Sequence, residues 1–134
     1  EELLSKATAA GWKIAVCSTS NEDSVTAVVQ TMLPKYASSM RIFAGDMVKA
    51  KKPDPAIYTM AAQALDIAPI KCVVVEDTNI GMKAGKAAGM SVIVTKSIYS
   101  EDEDFGTADL VVTSAAEVDF KDDVVSLLPV LELA

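Results

Sequence analysis

Histidine is absent from the 134-residue sequence, and cysteine occurs only twice. Without histidine the chain cannot build a Ser-His-Asp or Cys-His nucleophile system, an HExxH zinc site or an imidazole general base. The sequence also lacks a GxGxxG motif, so a dinucleotide site has no support. Any chemistry must therefore depend on carboxylates, lysines, hydroxyl groups and, where a metal takes part, a hard cation.

Basic residues are scarce relative to acidic ones. The 12 Lys and Arg stand against 19 Asp and Glu, which gives a net charge of -7, and such a surface repels a phosphate backbone. Hydrophobic residues make up 51% of the sequence, which argues against disorder, and the length fits one domain. No apolar run approaches the roughly 18 residues that a membrane span needs. We therefore expect a soluble protein with no membrane span and no nucleic-acid partner.

The two cysteines, Cys17 and Cys72, each lie in an apolar run, and neither forms part of a CxxC pair. This spacing favours neither a zinc site nor a disulfide framework. We interpret both as small buried hydrophobic residues of a protein from a reducing compartment. The sequence also begins without methionine and inside a predicted helix, which is typical of a fragment or a processed chain.

Short apolar strands alternate with amphipathic helices along the chain. Strands are predicted over 14–17, 41–44, 72–75, 91–95 and 109–112, and helices over about 3–10, 21–33, 54–65, 79–88 and 124–131. The buried side of the second helix should consist of Val25, Val28, Val29, Met32 and Leu33. Strands separated by helices imply right-handed crossovers and a parallel sheet, in which we expect 14–17 and 72–75 to be central. The predicted fold class is therefore α/β, Rossmann-like, with helices flanking a parallel sheet.

Ligands of such sheets lie outside the carboxyl ends of the strands, so the residues that follow each strand are the first candidates. Ser18, Thr19 and Ser20 follow the first strand and precede a helix. Hydroxyl groups and free amides at a helix N-terminus form an anion site. The alternative is simple capping, with Ser20 or Asn21 as the N-cap.

A second candidate is Lys52, in the sequence Lys52-Pro53-Asp54-Pro55. Proline disfavours the α conformation in the residue before it, so Lys52 should be extended. Asp54 should cap the next helix, with Pro55 as its first residue. A lysine held in this way can provide a fixed positive charge for phosphoryl transfer. Lys49 and Lys51 nearby are better interpreted as solvated.

The third candidate is the acidic pair Glu76-Asp77, which follows the strongest strand of the chain. Adjacent carboxylates at the end of a buried strand are costly unless a positive charge lies there. Mg²⁺ prefers oxygen ligands and is held by one or two carboxylates together with water and substrate oxygens. The alternative is the preference of helix N-termini for acidic residues, which explains Asp77 better than Glu76.

Two glycines and an acidic run have plainer interpretations. Gly81 and Gly85 stand in a segment that resembles a P-loop, but the spacing is one residue short and no Ser or Thr follows Lys86. We expect these glycines to let their helix approach the sheet closely. The acidic run 101–104 should be a solvated loop or a short helix.

The order of the segments is more informative than any one of them. The segments are Ile14 to Asn21, Lys52 to Pro55, Val73 to Thr78 with Gly81, and Ala87 to Met90. This ordered combination resembles the haloacid dehalogenase (HAD) superfamily, and within it the CbbY-like, β-phosphoglucomutase-like branch of photosynthetic bacteria and plastids. The resemblance covers about residues 1 to 115.

The resemblance implies a role for each candidate. Ser18 would bind the transferring phosphoryl group with its hydroxyl, together with Thr19 and Asn21, and Lys52 would stabilise the nucleophile and the phosphoryl charge. Glu76 and Asp77 would be the acids at a Mg²⁺ cofactor. The family's first motif, DxDGT, supplies the nucleophilic aspartate, and neither this motif nor the helical cap domain has a match here.

The resemblance therefore implies that residues 1–134 are the C-terminal portion of a HAD core domain, incomplete on its N-terminal side. A protein partner or further chain would complete the sheet. The implied function is a Mg²⁺-dependent phosphatase of the xylulose-1,5-bisphosphate type, which uses an aspartate outside this chain. The alternatives are a HAD-derived structural or interaction subunit and a β-phosphoglucomutase-type phosphotransferase. The implied location is the chloroplast stroma in a plant or alga, and otherwise the cytoplasm.

Overall fold

The computed structural model describes residues 2–96, 102–114, 118–121 and 124–127, in which helices and strands largely alternate. The helices are α1 (Glu2–Ala9), α2 (Glu22–Met32), α3 (Ala56–Leu65) and α4 (Asn79–Ala87). The strands are β1 (Ile14–Cys17), β2 (Met40–Phe43), β3 (Val73–Glu76), β4 (Ser91–Thr95), β5 (Leu110–Val112), β6 (Val118–Lys121) and β7 (Val124–Leu127).

The first five strands pair in parallel, as the fold class requires. β1 pairs with β2, while β4 lies between β3 and β5. Parallel strands flanked by helices confirm the predicted α/β, Rossmann-like class. In the part of the chain that the structure describes, no helix is long and apolar enough to cross a membrane.

The prediction that β1 and β3 are central strands of one sheet is wrong for the described chain, because they belong to two different sheets. A cavity of about 940 Å³ is lined by every residue of both strands. Each strand therefore presents one edge to this cavity, and the pairing that would join the two sheets is missing within the described residues.

One hydrophobic core nevertheless joins the two sheets through α3. Ile57 and Ala61 on this helix are buried in the same cluster as Phe43 of β2 and Val74 of β3. α4 packs closely on the sheet formed by β3, β4 and β5. A Cβ atom on Gly85 would lie only 2.8 Å from a methyl carbon of Val92, so glycine is what allows this approach. The predicted close approach of this helix to the sheet is confirmed.

The predicted buried side of α2 is partly wrong. Val25 and Val29 are buried and Leu33 is partly buried, but Val28 is 58% exposed and Met32 is 67% exposed. Successive helical residues lie 100° apart, so Val28 and Met32 form a second stripe beside the first. Within the described residues, α2 buries only its first stripe, against β1 and β2.

The C-terminal end also departs from the prediction. Residues 124–127 form strand β7, antiparallel to β6, where a helix over 124–131 was predicted, and residues 128–131 lie outside the described residues. Two consecutive valines favour a strand over a helix when a partner strand is available. β6 itself was not predicted.

Several element boundaries differ by one residue from the prediction, and at two of them an aspartate side chain accepts a backbone hydrogen bond. Asp54 accepts a hydrogen bond from the Ala56 amide at 2.9 Å, so Pro55 takes the N-cap position that was predicted for Asp54. Asp109 similarly accepts from the Val92 amide at 2.7 Å and precedes β5 instead of starting it. This hydrogen bond, helped by Lys86, lowers the pKa of Asp109.

Candidate functional site

Lys52 connects the carboxyl ends of β1 and β3. Its ammonium donates to the carbonyl oxygen of Cys17 at 3.1 Å and forms an ion pair with Glu76 Oε1. The side chains of Lys52 and Glu76 are only 10% and 11% exposed, so both charges are largely removed from water. The structure therefore brings two of the predicted site residues together at one edge of the fold. The Lys52-Pro53 peptide bond is cis.

Tyr58 completes this arrangement, and the sequence analysis missed it. Its hydroxyl donates to Glu76 Oε1, and the Lys52 ammonium lies 4.8 Å from the centre of its ring. Burial raises the pKa of Tyr58, and the Glu76 carboxylate raises it further. One signal was available in the sequence, because a tyrosine on the buried stripe of a helix needs a partner for its hydroxyl.

The loop after β1 uses several of its polar groups internally. The Ser18 amide donates to the Phe43 carbonyl at 3.0 Å, and the Ser18 hydroxyl accepts from the Ser20 amide at 3.2 Å. Asn21 is the N-cap of α2 and accepts from the Ser24 amide at 2.9 Å. The side-chain oxygen of Asn21 is therefore already used in capping α2, which is the alternative interpretation for this residue. Phosphate binding by Ser18, Thr19 and Asn21 stays a prediction.

A second loop, which the sequence analysis did not single out, holds the first one in place. The Gly45 amide donates to the Ser20 carbonyl at 2.7 Å, and a Cβ atom on Gly45 would overlap the Thr19 carbonyl. Asp46 accepts from the Glu22 amide at 3.1 Å, at the start of α2. The conformation of the predicted phosphate loop thus depends on the absence of a side chain at Gly45.

The segment after β3 leaves Asp77 exposed and fixes its neighbours. Thr78 caps α4 by accepting from the Gly81 amide at 3.1 Å. The Asn79 amide donates to Glu103 at 2.8 Å, so the acidic run of residues 101–104 is not simply solvated. Its first residue, Glu101, lies outside the described residues.

The two cysteines line the cavity between β1 and β3, and both are only partly buried, whereas the sequence analysis interpreted them as buried. Burial raises the pKa of the Cys17 thiol to about 12, although Lys52 opposes this shift. The thiolate is the nucleophilic form of cysteine, so Cys17 is unreactive at neutral pH. The exposed Lys49 and Lys51 fit their interpretation as solvated residues.

A magnesium ion fits the donor types at this edge, although the chain provides few of them. Asp77 has an exposed carboxylate directly after β3, whereas Glu76 Oε1 already accepts from Lys52 and Tyr58. Within the described residues, no group of three acidic, cysteine or histidine side chains is placed to hold a metal. Mg²⁺ typically takes one or two protein carboxylates plus water and substrate oxygens. Ligation of the ion by Asp77 and by Glu76 stays a prediction.

The close contact between Gly81 and Glu76 can be tested by adding a methyl group at position 81. A Cβ atom at this position would overlap the Glu76 carboxyl group, so Gly81→Ala must displace either the carboxylate or the first turn of α4. We expect Gly81→Ala to lower the free energy of unfolding by about 1–3 kcal/mol, the usual cost of overpacking. Lys83→Ala, at an exposed position of the same helix, should stay within about 0.5 kcal/mol. Denaturant melts of both variants measure this, and equal effects would contradict the close contact.

Parallel strands flanked by helices, with charged groups gathered at their carboxyl edge, place the chain in the class of Rossmann-like α/β proteins. The chain belongs to the haloacid dehalogenase-like hydrolase family, because the sequence profile of that family matches residues 1–89. This finding confirms the resemblance that the ordered motifs indicated.

Individual relatives and solved structures agree with this assignment. A CBBY-like protein of Arabidopsis thaliana is 58% identical over 111 residues, which cover 82% of this chain and 35% of the relative. CbbY from Rhodobacter sphaeroides, in a crystal structure with phosphate, superposes with a TM-score of 0.79 at 37% identity, covering 87% of this chain and 52% of that one. A mutant of CbbY from the same organism, in complex with xylulose-(1,5)bisphosphate, gives a TM-score of 0.75 at 34% identity over the same shares.

A β-phosphoglucomutase-like structure is also similar. The structure described as a putative β-phosphoglucomutase from Thermotoga maritima gives a TM-score of 0.72 at 25% identity, covering 83% of this chain and 52% of that one. The chain thus spans between about a third and half of the length of these four proteins. The predicted CbbY-like, β-phosphoglucomutase-like resemblance is confirmed.

Proposed function

We propose that this chain forms the phosphate-binding and metal-binding part of a phosphatase that acts on a phosphorylated sugar such as xylulose-1,5-bisphosphate. The observation that carries the proposal is the position of Lys52, whose ammonium contacts Cys17 at the end of β1 and Glu76 at the end of β3. The xylulose-(1,5)bisphosphate complex of the CbbY mutant, at 34% identity, supports this substrate class.

Lys52 provides the fixed positive charge of the proposed site. An ammonium group has three N–H donors, and the described contacts use two of them, on Cys17 and Glu76. The third is available for a phosphoryl oxygen. Such a preorganised donor in a site with little water stabilises the negative charge that develops during phosphoryl transfer.

The hydroxyl of Ser18 and the amide of Thr19 would bind the other phosphoryl oxygens, with Asn21 at the start of α2 beside them. Asp77, helped by Glu76, would hold Mg²⁺. When bound, the ion would neutralise part of the phosphoryl charge. Glu76 would also keep Lys52 at the strand edge through the ion pair that the structure shows.

The nucleophile in this proposal is an aspartate that lies outside this chain. Its carboxylate would attack phosphorus while the bond between phosphorus and the sugar oxygen breaks, and the second aspartate of the DxDGT motif would give a proton to that oxygen. Water would then hydrolyse the aspartyl-phosphate to free phosphate. The cavity between β1 and β3 supports this proposal, since a strand placed there would join the two sheets and end beside Lys52.

The same cavity supports a related proposal about the domain. Residues 1–134 would be the C-terminal portion of a core domain, and a further segment or a protein partner would complete the sheet. The free cysteines support a reducing compartment, and the family resemblance would imply the chloroplast stroma if this chain is from a plant or alga, and otherwise the cytoplasm.

The experiment is a phosphate-release assay on the protein at its natural length. We expect Mg²⁺-dependent release of phosphate from xylulose 1,5-bisphosphate, and we expect turnover to fall to background when EDTA removes the metal.

The similarity to the β-phosphoglucomutase-like structure supports a second candidate, transfer of the phosphoryl group between sugar hydroxyls. An isomeric sugar phosphate in place of free phosphate would favour the transferase. If neither product forms, both candidate functions are refuted.

A further inference from the structure

Tyr58 lies at a position where hydrophobic packing alone does not explain a hydroxyl group. The residue is 6% exposed and belongs to the core cluster together with Ile57 and Ala61 of the same helix. Phenylalanine would fill the same space. The hydroxyl nevertheless extends out of the core to Glu76 Oε1, the atom that also accepts from Lys52.

We propose that Tyr58 is a positioning residue that fixes the Glu76 carboxylate and, through it, the Lys52 ammonium. The inference rests on the proposed function, because it assigns Tyr58 a part in arranging that same site. Tyr58 does not contact the substrate in this proposal, and it acts only through its two neighbours.

The Tyr58 hydroxyl restricts the Glu76 carboxylate because it gives Oε1 a second hydrogen-bond donor besides Lys52. Glu76 Oε1 accepts from the ammonium on one side and from the phenol on the other, while Gly81 packs against the carboxyl group without a side chain. A carboxylate held by two donors and a backbone wall has little freedom to rotate. Hydrogen bonds to charged groups are among the stronger ones in proteins.

The ring restricts the ammonium from below. Its centre lies 4.8 Å from Lys52 Nζ, within the range of cation–π attraction. With the Cys17 carbonyl and Glu76 as hydrogen-bond acceptors, the ring is a third contact that limits how the ammonium can be oriented. Tyr58 thus directs the free donor of Lys52 towards the place where a phosphoryl oxygen would bind.

Tyr58→Phe tests this proposal, because it keeps the ring and removes only the hydroxyl. In the protein at its natural length, we expect kcat to fall about tenfold while KM changes less than about twofold, since a positioning contact acts on the transition state. Tyr36→Phe is the matched control. Tyr36 is the other buried tyrosine among the described residues, it packs in a different cluster, and its variant should keep the wild-type kcat.

A double-mutant cycle separates positioning from a general structural effect. If Tyr58 acts through Glu76, adding Tyr58→Phe to a Glu76→Gln protein should lower kcat by less than about twofold further. Independent losses that multiply would overturn the inference. A Tyr58→Phe protein whose kcat matches that of Tyr36→Phe would overturn it too.

A spectroscopic readout distinguishes failure of this inference from failure of the proposed function. The tyrosine doublet in the Raman spectrum reports whether a phenol donates a strong hydrogen bond. We expect the difference spectrum between wild type and Tyr58→Phe to show a strong donor, and Glu76→Gln to weaken that signal. An unchanged signal in Glu76→Gln would refute the role of Tyr58 even in an active enzyme. Absence of wild-type turnover would instead refute the proposed function, and the Raman signal would still decide whether Tyr58 holds Glu76.

Discussion

Lys52→Ala is expected to lower phosphatase turnover of the natural-length protein by at least about a hundredfold. Groups that stabilise developing charge commonly contribute about 3 kcal/mol or more to the transition state, which corresponds to that factor. The structure strengthens this expectation, because the ammonium already lies at the meeting point of β1 and β3. Lys51→Ala is the matched control and should change turnover little, since Lys51 is exposed.

The loss must be separated from damage to the fold. Removing Lys52 alone leaves the Glu76 carboxylate, which is 11% exposed, without its counter-ion, and breaking a buried pair on one side is destabilising. The double variant Lys52→Ala/Glu76→Gln removes both charges. It should melt closer to the wild type than Lys52→Ala does, yet remain as inactive. Recovery of turnover in the double variant would show that the ion pair serves stability alone.

Asp77→Asn extends the same test to the metal. Asp77 is exposed and no described contact of the fold depends on it, so the substitution should leave the melting temperature unchanged. Turnover should again fall at least about a hundredfold, because the amide is a poor substitute for a carboxylate ligand of Mg²⁺. Raising the Mg²⁺ concentration should recover part of this loss in Asp77→Asn and none in Lys52→Ala. Equal recovery in both would contradict the separate roles.

Local signals in the sequence were enough to select the candidate residues of the site. Ser18, Lys52 and the acidic pair each follow a recognisable strand or precede a proline, and their positions at strand ends follow from the topology of parallel sheets. The structure brings Lys52 and Glu76 into contact. Nothing local predicts that Tyr58 reaches the same carboxylate, because that contact depends on how α3 packs against β3.

The wrong predictions for α2 and the C-terminal segment, like the missed Tyr58 and Gly45, concern features that depend on tertiary packing. Val25, Val28, Val29 and Met32 all fit an amphipathic stripe, and the width of the buried stripe depends on which neighbours cover the helix. The helix predicted over 124–131 would span only about two turns, too few for periodicity to distinguish a helix from a strand. Pairing with β6 makes residues 124–127 a strand. Gly45 was missed because its constraint, contact with the Thr19 carbonyl, comes from a loop 26 residues away in the sequence.

A second large effect is expected for the phosphatase activity of the isolated chain. The 134-residue chain should release phosphate at least about a thousandfold more slowly than the natural-length protein, because covalent phosphoryl transfer needs a nucleophile that the proposal assigns to another segment. Within the described residues, Glu76 is engaged with Lys52 and Tyr58, and the Cys17 thiol is neutral at physiological pH. Mg²⁺-dependent turnover by the isolated chain would show that the nucleophile lies inside it.

The isolated chain should also associate with itself. Unpaired strand edges pair readily with other strands, and β1 and β3 both present an edge to the 940 Å³ cavity. Sedimentation of the purified chain should therefore show oligomers. A monomer with a cooperative melt would contradict this expectation, because it would mean that the open edges cost the fold little.

A peptide can test what the cavity accepts. An apolar strand of valines and isoleucines that ends in a DxDGT sequence should bind between β1 and β3, raise the melting temperature and shift the oligomers towards monomer. The matched control has proline in the middle of the strand, which removes an N–H group that the sheet would need. If both peptides act alike, binding is only hydrophobic. If the first alone acts, the two sheets are halves of one sheet, and the strand that joins them brings its terminal carboxylates to the edge where Lys52 lies.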